Sequence, residues 1–236
     1  SGLRRGWTAL PGTAAEAEGV EKAFAALRGK ATRLSKGEAT AGAIRAALPR
    51  ARHAHLATHA WYDLEKGKHA ATGWHPLLLC GLAFAGANRE PGEGEDDGLL
   101  TALEVSELDL SGLELAVLSA CETGLGVIAN GDGVMGMRRA FAAAGARSVV
   151  SSLWKVDDEA TRVLMERFYA NLWGRKMGRL EALAESQRWM LREGKADPGV
   201  ARGMRRKDAP QPAEDGRMPP YYWAAFVLSG DWRRAP

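Results

Sequence analysis

Five apolar runs constrain this chain more than any other feature of it. They are "HAHLATH" (53–59), "PLLLCGLAFAG" (76–86), "LELAVLSA" (113–120), "SVVSSLW" (148–154) and "WAAFVLSGD" (223–231). Most lack the alternation of a half-exposed strand, which suits strands covered on both faces. Between and around them lie helical patterns at 14–29, 37–49, 133–146, 157–174 and 180–194. Strand–helix alternation of this kind predicts an α/β fold, an open and mostly parallel β-sheet with helices on both faces.

The chain has 236 residues, 46% hydrophobic and 26% charged, enough material for a large core in one soluble domain spanning 1–236. No run of 18 apolar residues occurs, so no membrane span is expected. The start, "SGLRRGW", lacks the apolar core of a signal peptide. Ser1-Gly2 without a methionine reads as an expression scar, so an upstream sensor or repeat region is expected to be absent from this chain. A net charge of +3 is too weak to argue for nucleic acid as the primary ligand. Two cysteines, Cys80 and Cys121, cannot build a disulfide framework, which points to a reducing, cytoplasmic setting. Two stretches read as loops, the acidic 88–98 and the proline-rich 196–220. "EGEDD" (93–97) and "RGMRRK" (202–207) read as solvated charge runs.

In open α/β sheets the functional crevice lies at the carboxyl ends of the parallel strands. His59 closes one run and Cys121 follows another, 62 residues later. On neighbouring strands the two would face each other. An adjacent imidazole shifts a thiol toward thiolate and can protonate a leaving amine. The amides of Cys121 and Ala60 are then the natural oxyanion donors. Asp63 is the carboxylate nearest the histidine in sequence, and no third member of a triad is evident. Cys80, mid-run with no polar neighbour, reads as core.

Other chemistries fit less well. His53, His55 and His59 share one strand face, but no usual third metal ligand stands nearby. The glycines of "GLGVIANGDGVMG" match neither a dinucleotide fingerprint nor a phosphate-binding loop ending in Lys-Ser/Thr. A glutaminase-type amidase usually places its histidine after the cysteine, and no histidine follows Cys121. An inert interaction module of the same fold would not need both residues. Asp157, Asp158 and Glu159 also suit the first turn of a helix, whose dipole they complement. Trp154, just before them, is a candidate wall for a substrate subsite.

The blocks "WTALPGTAAEAE", "AHLATHA", "LLLCGLAFAGAN", "DGLLTALEVSELDLSGLELAVLSACETGLG", "GDGVMGMRRAFAAAGARSVVSSLWKVDDEAT" and "YYWAAFVLSGD" resemble the successive blocks of a CHAT domain, from about Trp7 to Asp231. That domain belongs with the caspase–separase (clan CD) cysteine peptidases; in caspases the histidine precedes the cysteine by about 50 residues. The resemblance implies a caspase-like fold and a cysteine endopeptidase with a dyad of His59 and Cys121, acting through an acyl-enzyme thioester without metal or organic cofactor. By position Asp158, with Asp157 beside it, matches the separase acid that receives a basic P1 side chain. Ala60 stands where caspases have glycine, and "SGLRRGW" replaces the family's usual apolar strand before "LPGT". The resemblance also implies a regulated protease of bacterial signalling or antiviral defence. Its partners would be a specific protein substrate, in some systems a pore-forming effector, and a tetratricopeptide-repeat or other sensor module. "RRKD" (205–208) is a candidate self-cleavage site.

Overall fold

The computed structural model describes residues 6–25, 29–63, 75–122, 132–154, 156–205 and 209–233, with 11, 121, 122 and 132–135 described through their backbone. The chain divides into two compact units. Ser1–Ala9 and Leu34–Leu153 form the first, and Leu10–Arg33 and Trp154–Pro236 the second.

The first unit is built on five strands: β1 (His53–Tyr62), β2 (Cys80–Ala83), β3 (Leu99–Thr101), β4 (Leu115–Glu122) and β5 (Ser148–Ser152). They lie in the order β3-β2-β1-β4-β5. β4 pairs in parallel with both β1 and β5, whereas β2 pairs antiparallel with β1 and β3. The sheet is therefore mixed, within an α/β caspase-like fold. Residues 84–98 join β2 to β3 without a helix. A parallel crossover needs a dozen or more residues, usually helical, so a connection of this kind suits antiparallel neighbours.

The central strands form because their residues bury on both faces. Ala116 and Val117, on opposite faces of β4, are both fully buried, as is Val150 of β5. One face carries Leu56, Ala60, Leu82, Leu118, Ala120 and Val149, packed with Met137, Ala140 and Phe141. The last three lie on the helix Asp132–Ala143. Burying each large apolar side chain contributes about 1.5–3 kcal/mol. The unit also holds two shorter helices, Ala41–Ala47, capped by Thr40, and Ala102–Ser106, with 3-10 turns at Lys36–Glu38, Leu48–Arg50 and Pro76–Leu78. The second helix starts in a capping box between Thr101 and Glu104.

The run 76–86 was expected to be one strand. Instead its first residues form the turn, because His75 Nδ1 accepts from Leu77 N and Pro76 fixes the first turn residue, and pairing starts only at Cys80. Cys80 is buried, 1% exposed, as its apolar neighbours imply.

The second unit packs the helices Pro11–Ala25, Asp158–Tyr169, Arg179–Glu193, Pro198–Gly203 and Pro220–Trp223, with strand Phe226–Gly230. A π-type turn over Ala170–Gly174 continues the second of these. Arg167 bridges Glu185 at 2.6 Å and lies 4.6 Å from the centre of the Trp189 ring. Pro198–Gly203 falls inside the stretch read as a loop. Asp197 caps it through the amides of Gly199 and Val200, a local signal that the low apolar content of the stretch obscures. Among the described residues no helix is long and apolar enough to cross a membrane.

Candidate functional site

The parallel ladder between β1 and β4 keeps one offset from His53↔Leu115 through Ala60↔Glu122. Within it His59 and Cys121 are register partners, on the same face of the sheet and on adjacent strands. Neighbouring strands lie about 4.8 Å apart. A slip of one residue would move every side chain of one strand to the other face. The apolar positions of β1 and β4 thus fix the register of the two polar ones.

His59 is 7% exposed. Its Nε2 lies 2.7 Å from the Thr8 carbonyl, and its ring sits 5.2 Å from the Trp7 ring at 36°. A carbonyl only accepts, so Nε2 carries the proton and donates. In the neutral ring Nδ1 is then the basic nitrogen. Neither Trp7 nor Thr8 stands out by residue type, and the anchoring group is a backbone carbonyl, which no side-chain pattern announces. Trp7 is held in turn by Asn88, whose Oδ1 accepts from Trp7 N at 2.7 Å while its Nδ2 donates to Trp7 O at 2.9 Å.

β1 does not stop at His59. It continues to Tyr62, because Ala60, Trp61 and Tyr62 pair with Leu82, Gly81 and Cys80 of β2. Ala60 therefore lies inside the sheet with partners on both sides, Leu82 and Glu122. The turn "ETGLG" after the cysteine lies mostly outside the described residues, as do 206–208 of "RRKD". Asp63 donates its backbone N–H to Leu79 O at 2.8 Å. His53, His55 and His59 do share a strand face. Among the described residues no group of three or more His, Cys, Asp or Glu could hold a metal ion.

Two acids of the loop 88–98, Asp96 and Asp97, bind backbone amides. Asp96 accepts from Gly42 N at 2.6 Å and Gly98 N at 2.8 Å, and Asp97 from Leu99 N at 2.9 Å. Burial alone would raise the Asp96 pKa. The Gly42 and Gly98 amides, the Thr40 hydroxyl and the Arg45 charge together outweigh it and hold the carboxyl below its ordinary value.

In the second unit Asp157 is 7% exposed and caps its helix, accepting from Glu159 N at 3.0 Å and Ala160 N at 3.2 Å. Asp158 is exposed in the first turn and lies against Gly12, where an added Cβ would come within 2.7 Å of its Oδ2. Trp154 is 37% exposed and donates its indole N–H to Tyr221 O at 3.2 Å.

The sequence matches the family model of the CHAT domain over residues 3–231. The chain belongs to the CHAT domain family. This family groups caspase-like domains related to the clan CD peptidases. Over 74 residues the chain is 39% identical to tetratricopeptide repeat protein 28 of Mus musculus, a match covering 31% of this chain and 3% of that protein. Over 151 residues it is 30% identical to tetratricopeptide repeat protein 28 of Homo sapiens, covering 57% of this chain and 6% of that protein. This CHAT domain therefore spans only a small part of the curated relatives it matches.

Proposed function

We propose that the protein is a cysteine endopeptidase in which Cys121 is the nucleophile and His59 the general base and acid. The reading rests on one observation, the register pairing of His59 with Cys121 where β1 and β4 run parallel. The Thr8 carbonyl supports it by fixing the proton on Nε2 of His59. In this scheme Nδ1 accepts the thiol proton, and the thiolate attacks the scissile carbonyl. The imidazolium then protonates the leaving amine. Water hydrolyses the thioester with His59 again as base. The amides of Cys121 and Ala60 bind the oxyanion. Backbone N–H groups of a strand lie in the plane of its sheet, and Ala60 has paired strands on both sides, so its amide serves only if the edge of the ladder opens there. A resting protease that opens on activation is consistent with that arrangement.

We extend the proposal to a preference for Arg or Lys at P1, with Asp158 the carboxylate to test, Asp157 beside it in sequence and Trp154 as a subsite wall. The substrate is a specific protein, with a pore-forming effector as one class, in a bacterial signalling or defence system. Similarity to tetratricopeptide-repeat proteins supports a repeat module as regulatory partner. The test is hydrolysis of a fluorogenic peptide library by the protein and its Cys121→Ala variant. Cleavage after Arg or Lys that disappears with Cys121 supports the proposal. Cleavage that persists without Cys121 rejects it. No cleavage by either protein, with Cys121 unreactive, favours an inactive interaction module.

A further inference from the structure

We infer that Asn88 is a positioning residue for His59, acting through a two-point clamp on Trp7; the inference rests on the dyad reading above. The orientation of the His59 ring depends on where the Thr8 carbonyl stands, since that oxygen is 2.7 Å from Nε2. Thr8 directly follows Trp7, and Asn88 grips Trp7 at both its N–H and its carbonyl. A primary amide offers an acceptor and a donor in one plane, so one side chain imitates a rung of an antiparallel sheet. The clamp fixes the Trp7 backbone, and with it both the carbonyl that follows and the indole ring against His59.

Asn88 is itself exposed, so its two hydrogen bonds contribute little to global stability. Its placement is nonetheless tied to the loop stem. The loop that carries it is closed at its base by Phe84 N donating to Gly98 O at 2.7 Å and by Ala87 N donating to Phe84 O at 3.1 Å. Gly98 has φ +72, and a Cβ there would lie 2.2 Å from Ala87 N, so only glycine fits. Ala87, next to Asn88, is buried with Trp61, Ala83 and Leu99, and Trp7 packs on the same cluster. A continuous set of contacts therefore runs from the loop stem through Asn88 and Trp7–Thr8 to the imidazole. Without the clamp the carbonyl drifts, Nε2 loses its fixed acceptor, and the ring divides between tautomers, only one of which has Nδ1 as base.

The test uses the full chain labelled with 15N-histidine. Two-dimensional 1H–15N spectra read the His59 tautomer, with the resonance assigned through His59→Gln. Iodoacetamide labelling of Cys121 is followed across pH, with Cys80 as the buried reference. The native protein is expected to show the Nε2–H tautomer. Asn88→Ala should mix the tautomers and slow Cys121 labelling roughly tenfold near neutrality, a part of the 10²–10⁴ that a positioned general base supplies. Asn88→Asp is isosteric, keeps the acceptor for Trp7 N–H and cannot donate to Trp7 O. It should act in the same direction even if the alanine variant loosens the loop. Asn88→Gln, with both groups retained, should recover part of the rate. An unchanged tautomer and an unchanged pH profile in both Asn88→Ala and Asn88→Asp overturn the inference. If His59→Ala slows Cys121 and the Asn88 variants do not, the positioning role alone fails. If His59→Ala leaves Cys121 unchanged, the dyad reading fails.

Discussion

The stretch of β1 and β4 around His59 and Cys121 and the first turn of the helix Asp158–Tyr169 both concentrate polar groups that the sequence marks as functional, yet they are constructed differently. In the strands, polar residues sit on a frame made by others. Ala116, Val117 and Leu118 hold β4 in the sheet, and His59 and Cys121 inherit their relation from that register. In the helical turn, Asp157 is consumed by the structure it belongs to, because its carboxylate satisfies two helix N–H groups. Asp158, one residue on, is exposed. Asp157 caps its helix, whereas His59 keeps one ring nitrogen on the Thr8 carbonyl and takes its place from the register of the sheet.

Four predictions, the third pairing two variants, run from the largest effect to the smallest. Cys121→Ala should lower peptide hydrolysis by about 10³ or more while leaving the thermal midpoint nearly unchanged; a large fall in stability would mean the thiol is structural. Leu118→Ala removes a side chain that is 3% exposed in the core of the first unit. It should cost about 2–5 kcal/mol in urea unfolding, and a negligible cost would show that the register does not depend on this packing. Asp157→Ala should cost about 1 kcal/mol through the lost cap, whereas Asp158→Ala should change stability by less than about 0.5 kcal/mol and act on kcat/KM for basic P1 peptides. The reverse pattern would exchange the roles of the two acids.

The fourth concerns pH. Asp96 has a folded pKa below its ordinary 3.8, so its contribution is complete above that value and is lost as pH falls through the folded pKa. Asp96→Asn should therefore flatten the acid limb of a stability–pH curve below about pH 4 and leave the slope near neutrality alone. An unaltered acid limb would show that the Gly42 and Gly98 contacts carry no charge preference.

Much of this was legible in the sequence because it depends on side-chain type. The apolar run of β4 is near-continuous, and a strand buried on both faces requires that. The helix Asp132–Ala143 and the helix Asp158–Tyr169 follow the expected patterns closely. What escaped depends on partners rather than on composition. β1 runs three residues past His59 because β2 offers an antiparallel edge, and nothing local in "AWY" announces it. β3 is only three residues long, too short to show a period. The group that orients His59 is the carbonyl of Thr8, common to every residue, and its support is the side chain of Asn88 in a stretch that reads as acidic loop. The Thr101–Glu104 capping box was open to recognition, since Thr-x-x-Glu before an apolar position is a helix-start signature.

The central claim is that strand register makes Cys121 an activated thiol through His59. The direct test is the rate of iodoacetamide labelling at Cys121 near neutral pH, in the native protein and in His59→Ala, with the buried Cys80 as internal reference. Labelling that is fast relative to Cys80, and falls toward a simple thiol rate when His59 is removed, is the expected result. Equal rates at Cys121 in the two proteins would contradict it.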